Sequence, residues 1–142
     1  PVLNEEHLAS IDQDHFKLTY LSTLYEDNLE DALETIGRDA VNAVKQGAQI
    51  LVLDDSGLVN ENGYAMPILL AISHVHQLLI KENLRMSTSL VAKSGETREV
   101  HHVACLLAYG ANAIVPYLAQ RTVEQLTLVE GLQGTVVDNV KT

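Results

Sequence analysis

Two carboxylates, Asp54 and Asp55, follow directly on the apolar run Ile50-Leu51-Val52-Leu53. Adjacent acids at the end of a strand suit cation binding or general acid–base work. No third ligand accompanies them, and Ser56-Gly57 supplies turn residues, so the pair reads as a solvated loop before it reads as a metal site. A second chemical prospect is Lys93-Ser94-Gly95-Glu96-Thr97, where a strand meets a helix start and free N–H groups can hold a phosphate or carboxylate. It lacks the glycines of a Walker loop or a dinucleotide fingerprint, and Ser94 as a helix N-cap accounts for it. Of the six histidines, His74 and His76 lie two apart on one helix and diverge, as do the neighbours His101 and His102. His101 and Cys105 share a helix face at i,i+4, but two ligands are too few for zinc. The histidines read as packing or helix-end residues, and Cys105, with no helix N-terminus or basic neighbour to activate it, as a packing thiol. No Gly-x-Ser-x-Gly, His-Glu-x-x-His or Cys-x-x-Cys occurs. No catalytic residue and no metal site is expected. The remaining ligand candidates are Asp54, Asp55, Ser94 and Tyr117, all at strand C-terminal ends.

The elements that must position these residues follow from period and punctuation. Residues 1–15 are polar and acidic without a sustained period and read as a lead-in segment. Phe16 to Tyr25 favours a strand. Leu29, Leu33, Ile36, Ala40 and Val44 mark an amphipathic helix that Gly47 ends. Gln49 to Leu53 is a strand covered on both faces. After a polar loop through Gly63, Pro67 opens a helix running to about Asn83. His74 falls on its polar stripe and His76 on its apolar face. Ser87 to Lys93 is a third strand, followed by a helix that Gly110 ends. Ala113 to Val115 is a short fourth strand, and Pro116 opens a last helix to about Glu130, with a frayed chain end.

The joints Gly47-Ala48-Gln49-Ile50 and Gly110-Ala111-Asn112-Ala113 repeat one pattern of helix stop, tight turn and buried strand. Repeated βα units with short joints predict an α/β fold with a mainly parallel sheet and right-handed crossovers. Four units amount to a partial or rudimentary (β/α) barrel, since the full form needs ~250 residues.

With 142 residues and 46% hydrophobic composition, one domain spanning 1–142 with a real core is expected. The net charge of −10 argues against nucleic acid as a partner. No signal peptide is visible, and the stretch from Tyr64 to Ile80 is interrupted by Ser73, His74, His76 and Gln77, so no membrane span is expected. The single cysteine points to a cytoplasmic address. The start at Pro1 and the stop soon after Gly134 suggest a piece of something longer.

One resemblance covers nearly the whole chain. Ala65-Met66-Pro67-Ile68-Leu69-Leu70-Ala71-Ile72-Ser73-His74-Val75-His76, then Leu78-Leu79-Ile80 and Leu84-Arg85, resembles the central domain of the glutamate synthase large subunit. Ser94-Gly95-Glu96-Thr97-Arg98-Glu99-Val100-His101-His102, then Tyr109-Gly110-Ala111-Asn112-Ala113 and Pro116-Tyr117-Leu118-Ala119, resemble its next two joints, and Pro1-Val2-Leu3 its start. The chain departs from that family at Asp54-Asp55-Ser56, where Ser-Asp-Arg is usual, and at Gln77, where another histidine is usual.

The resemblance implies a parent enzyme that converts glutamine, 2-oxoglutarate and reductant into two glutamates, an oxidoreductase of ammonia assimilation. A glutaminase (amidotransferase) domain would release ammonia, and an FMN-binding barrel with an iron–sulfur cluster would add it to 2-oxoglutarate. This chain would be the non-catalytic connection between those two domains, holding no cofactor itself and helping to form the ammonia path. The electron donor (NADPH, NADH or ferredoxin) stays open. An alternative is a stand-alone βα protein binding a phosphorylated ligand or flavin at Asp54, Asp55, Ser94 and Tyr117. A third is an interaction module that forms a homo-oligomer through an exposed sheet edge.

Overall fold

The computed structural model describes residues 2–13, 16–57, 63–97 and 100–129. Residues 58–62 of the sequence's polar loop and the chain end from 130 to 142 lie outside the described residues.

Elements follow in the order α1 (Glu5–Gln13), β1 (Leu18–Ser22), β2 (Leu24–Tyr25), α2 (Leu29–Lys45), β3 (Ile50–Asp54), β4 (Tyr64–Ala65) and α3 (Ile68–Lys81). A 3₁₀ turn (Arg85–Ser87), β5 (Ser89–Lys93), α4 (Val100–Ala108), β6 (Ala113–Val115) and α5 (Tyr117–Val129) complete them. The main sheet is parallel throughout, in the order β1-β3-β5-β6. Its strands therefore add in one direction only, as in a (β/α) barrel, and right-handed crossovers then place successive helices on one face. Four strands leave the sheet open among the described residues.

Period-two alternation divides the core. Leu51, Leu53, Leu90, Ala92 and Ile114 face the helix layer, packing on Ile36, Ala40 and Val44 of α2 and Ala71, Ile72, Val75 and Leu79 of α3. Val52, Val91, Ala113 and Val115 face the other way, onto Leu8 of α1 and Tyr117. Asn28 caps α2 by accepting from the N–H groups of Glu30 (2.7 Å) and Asp31 (3.3 Å). Gly47 (φ +98°) and Gly110 (φ +125°) end α2 and α4 in the left-handed conformation that only glycine adopts without cost, as the repeated joint requires.

Several sequence expectations need correction. The lead-in segment contains a helix, α1, whose Asn4 side chain accepts from the His7 N–H (2.8 Å) while His7 Nδ1 accepts from the Asn4 N–H (3.2 Å). That reciprocal cap uses histidine where glutamate is usual, so the signature is easily missed. The expected strand from Phe16 to Tyr25 is two. At Thr23 the chain leaves the parallel sheet: its N–H donates to Asp54 (3.0 Å) and its carbonyl accepts from Met66 (2.9 Å), starting a small antiparallel β2–β4 ribbon. The third strand starts at Ser89, because Arg85–Ser87 form the 3₁₀ turn.

The sheet edges differ. On β6 the segment Val2–Leu3 pairs in parallel, with the Leu3 N–H donating to the Ile114 carbonyl (2.7 Å). The outer edge of β1 has no partner strand among the described residues. No helix among them is long and apolar enough to cross a membrane.

Candidate functional site

Register brings the C-terminal ends of the strands level: Asp54 pairs with Ser22 on one side and Lys93 on the other, and Lys93 with Val115. Four sequence candidates meet here, yet the two aspartates diverge. Asp54 accepts from the Ser56 N–H (2.8 Å) in a local turn and lies 3.8 Å from Lys93 Nζ. Lys93 also reaches Glu5 of α1 (3.6 Å).

Asp55 turns the other way and becomes a hub. Its carboxylate accepts from Ser94 Oγ (2.7 Å), from the Gly95 N–H (3.1 and 3.2 Å) and from the Tyr117 hydroxyl (2.7 Å). Ser94 is 0% exposed. Burial, the bond to Asp55 and the charges of Asp55 and Asp54 push the Tyr117 hydroxyl far above the ordinary tyrosine range, with Arg121 opposing. The Tyr117 ring also lies under Lys93 (5.7 Å) and Arg121 (5.1 Å), and Arg121 binds Glu5 (2.8 Å). Thus β3, β5, α5 and α1 are tied together by one ionic and hydrogen-bonded cluster.

Ser94 does not cap α4 in the expected way. Its hydroxyl accepts from the Glu96 N–H (3.1 Å), two residues on, and donates to Asp55, while α4 begins at Val100. A Cβ on Gly95 would come within 2.5 Å of Leu118 and 3.2 Å of the Tyr117 hydroxyl. The loop N–H that an anionic ligand would use at this end of an α/β sheet is taken by the protein's own carboxylate.

A different set of residues meets at the opposite end of the sheet. The Arg85 guanidinium donates to His76 Nδ1 (2.8 Å), the carbonyls of Thr88 and Gly110 (2.8 Å each) and Asn112 Oδ1 (2.7 Å). Asn112 Oδ1 also accepts from the Leu90 N–H (2.8 Å). Burial and the Arg85 charge hold His76 below its usual value, and accepting the Arg85 Nε–H at Nδ1 requires a ring with no proton on that nitrogen. Gly110 leaves room for this ring, since a Cβ there would lie 2.5 Å from it. His74 is half-buried and faces Gly37 of α2, where an added Cβ would lie 2.9 Å from its Nε2, so it packs between helices instead of lining a polar stripe.

The third feature is a groove of about 430 Å³ between the start of α3 and α4, lined by Pro67, Ile68, Thr97, His101, Cys105 and Leu106. Cys105 Sγ and His101 Nε2 lie 3.6 Å apart, as their spacing predicts. Pro67 brings no side-chain cap to α3, and Glu96 supplies one by accepting from the Ile68 N–H (2.7 Å). Sequence reading missed this long-range cap; an uncapped proline start was its only signal. No cluster of three or more His, Cys, Asp or Glu suited to a metal ion occurs among the described residues.

The model of the glutamate synthase central domain family matches residues 1–141. The chain is similar to ferredoxin-dependent glutamate synthase 2 of Synechocystis sp., with 39% identity over 140 residues covering 94% of this chain and 9% of that one. The NADPH glutamate synthase large chain of Bacillus subtilis is 41% identical over 128 residues (88% of this chain, 8% of that one). Ferredoxin-dependent glutamate synthase 1 of Arabidopsis thaliana, a chloroplastic/mitochondrial protein, is 42% identical over 136 residues (90% and 8%). The chain therefore spans less than a tenth of the length of these relatives.

Proposed function

The chain belongs to the glutamate synthase central domain family, and from that premise we propose that it is a non-catalytic connecting domain within a glutamate synthase. In this reading it holds an amidotransferase domain and an FMN-binding synthase domain in position and helps to wall the path that ammonia takes between them. The parent reaction is then the conversion of glutamine, 2-oxoglutarate and reductant into two glutamates, in the cytoplasm of the source cell.

The observation that carries the reading is the use of Asp55. At the strand ends where α/β proteins hold phosphorylated ligands, the Ser94 hydroxyl, the Gly95 N–H and the Tyr117 hydroxyl are all directed at this one carboxylate. The residues present do not fit an FMN phosphate, which would meet a fixed negative charge there and Leu118 packed against Gly95. They do not fit an iron–sulfur cluster either, which is held by several cysteine thiolates where this chain has one cysteine. FMN and the cluster belong, in this proposal, to other domains of the parent.

The test is Asp55→Ala in the full-length enzyme, with Ser94→Ala as a milder second variant. Loosening the joint between β3, β5 and α5 should leave glutamine hydrolysis and flavin content intact while less glutamate forms per glutamine hydrolysed. Loss of bound flavin in either variant would place this domain in cofactor binding and overturn the reading.

A further inference from the structure

Cys105 does not have the surroundings of an inert packing thiol. It is half-buried instead of sealed in the core, and it lines the groove of about 430 Å³ between the start of α3 and α4. One helical turn back, the exposed His101 holds Nε2 3.6 Å from its sulfur. A neutral imidazole at that position can accept the thiol proton, which is the pairing that makes a cysteine nucleophilic. A third group in the same groove is unused by the fold. Thr97 is 1% exposed, and its hydroxyl has no hydrogen-bond partner. Among the described residues, it is the only such unpaired buried group that lines this groove. A buried hydroxyl left unpaired is costly, and a redox or catalytic role is one of the reasons a native protein keeps one.

We propose that Cys105 is a site of reversible oxidation by hydrogen peroxide, with His101 as the proton acceptor and the Thr97 hydroxyl as the donor that holds the product. The inference is independent of the connecting-domain reading. The Cys105 sulfur attacks one peroxide oxygen while its proton passes to His101 Nε2. The S–O bond forms and the O–O bond breaks, so the sulfur loses two electrons and the peroxide gains them. The departing hydroxide takes the proton back from His101 and leaves as water, and Cys105 becomes a sulfenic acid. Thr97 then donates to the new oxygen. A small thiol restores the site: the first molecule displaces water to give a mixed disulfide, and a second releases the Cys105 thiol. Charge favours peroxide over an anionic disulfide such as oxidised glutathione, because the chain carries −10 and Glu96 stands in the groove wall. These 142 residues hold no second thiol, so no disulfide within them can replace the sulfenic acid.

The test treats the native full-length protein with hydrogen peroxide at neutral pH and traps sulfenic acid with dimedone. The adduct is read on the Cys105 peptide by mass spectrometry, with free cysteine measured in parallel as the reference thiol. His101 is exposed and Thr97→Val keeps the shape of the side chain, so His101→Gln and Thr97→Val both leave the fold in place. Unchanged deuterium uptake in β5 checks this. Cys105 of the native protein should form the adduct about tenfold faster than free cysteine, less than a fully enclosed base supplies because the pair is open to water. His101→Gln should bring the rate down to that of free cysteine. Thr97→Val should leave the rate alone and carry more of the product on to sulfinic acid, which small thiols do not reverse. A native rate no faster than free cysteine, or an equal rate in His101→Gln, would overturn the proposal. So would a Cys105 that reacts with oxidised glutathione but not with peroxide, because that makes the groove a site of thiol exchange. An unchanged sulfenic acid yield in Thr97→Val would overturn the part given to Thr97.

Discussion

The two ends of the sheet are closed by side chains of opposite charge. At the carboxyl ends of the strands an anion, Asp55, gathers hydroxyl and N–H donors. At the amino ends a cation, Arg85, gathers carbonyl, amide and imidazole acceptors. The direction of the chain explains the pairing. In a layer of βα units every helix starts at one end of the sheet and stops at the other, so free N–H groups collect where Asp55 lies and free carbonyls where Arg85 lies. Many α/β proteins leave the first end open for an anionic ligand. Here the chain fills it from within, and the same logic that makes a binding site elsewhere makes a fastening here.

The comparison can be broken most severely at the strand both ends share. Leu51 is fully buried between Thr19 and Leu90 in the middle of the sheet. Leu51→Asp should remove cooperative melting altogether, because an unpaired charge there costs several kcal/mol. A normal melt would show that the sheet core is misassigned. Next, Arg85→Ala should destabilise by about 3 kcal/mol in urea unfolding, since four acceptors lose a charged donor. Asp55→Ala should cost less, about 2 kcal/mol, because it leaves three donors without their acceptor where Arg85→Ala leaves four acceptors without their donor. A larger loss at Asp55 than at Arg85 would reverse the ranking of the two ends.

The smallest effect separates the ends by pH. His76 has a folded value below its unfolded 6.5, so its neutral form contributes stability in full above 6.5. That contribution is lost as the pH falls from 6.5 through the lower folded value, where protonation sets two cations against each other. Urea midpoints between neutral and mildly acidic pH should show a decline that is absent in His76→Asn. An equal decline in both proteins would remove His76 from the account.

Much of this was legible in the residues. The glycine stops at Gly47 and Gly110, the apolar strands around Leu51 and Leu90 and the proline-led helices gave the parallel βα order, because each rests on local backbone chemistry. The family motif was legible as a pattern but not as a cause. His76, Arg85, Gly110 and Asn112 lie far apart in the chain, and only the fold shows that they form one clamp. Likewise Asp55, Ser94 and Tyr117 could be nominated individually as strand-end residues, while their mutual bonds depend on register and on where α5 returns. Helix α1 escaped notice because Leu8 as its buried apolar anchor and an unusual histidine cap leave almost no periodic signal.

The central claim is that this domain connects and shapes without holding the flavin. The most direct measurement is a calorimetric titration of the 142-residue chain with FMN at neutral pH. The account predicts no saturable heat, because Asp55 already occupies the donors a phosphate would need. Saturable micromolar binding, abolished by Ser94→Ala or by a bulkier residue at Gly95, would contradict it and turn the fastening at the strand ends back into a ligand site.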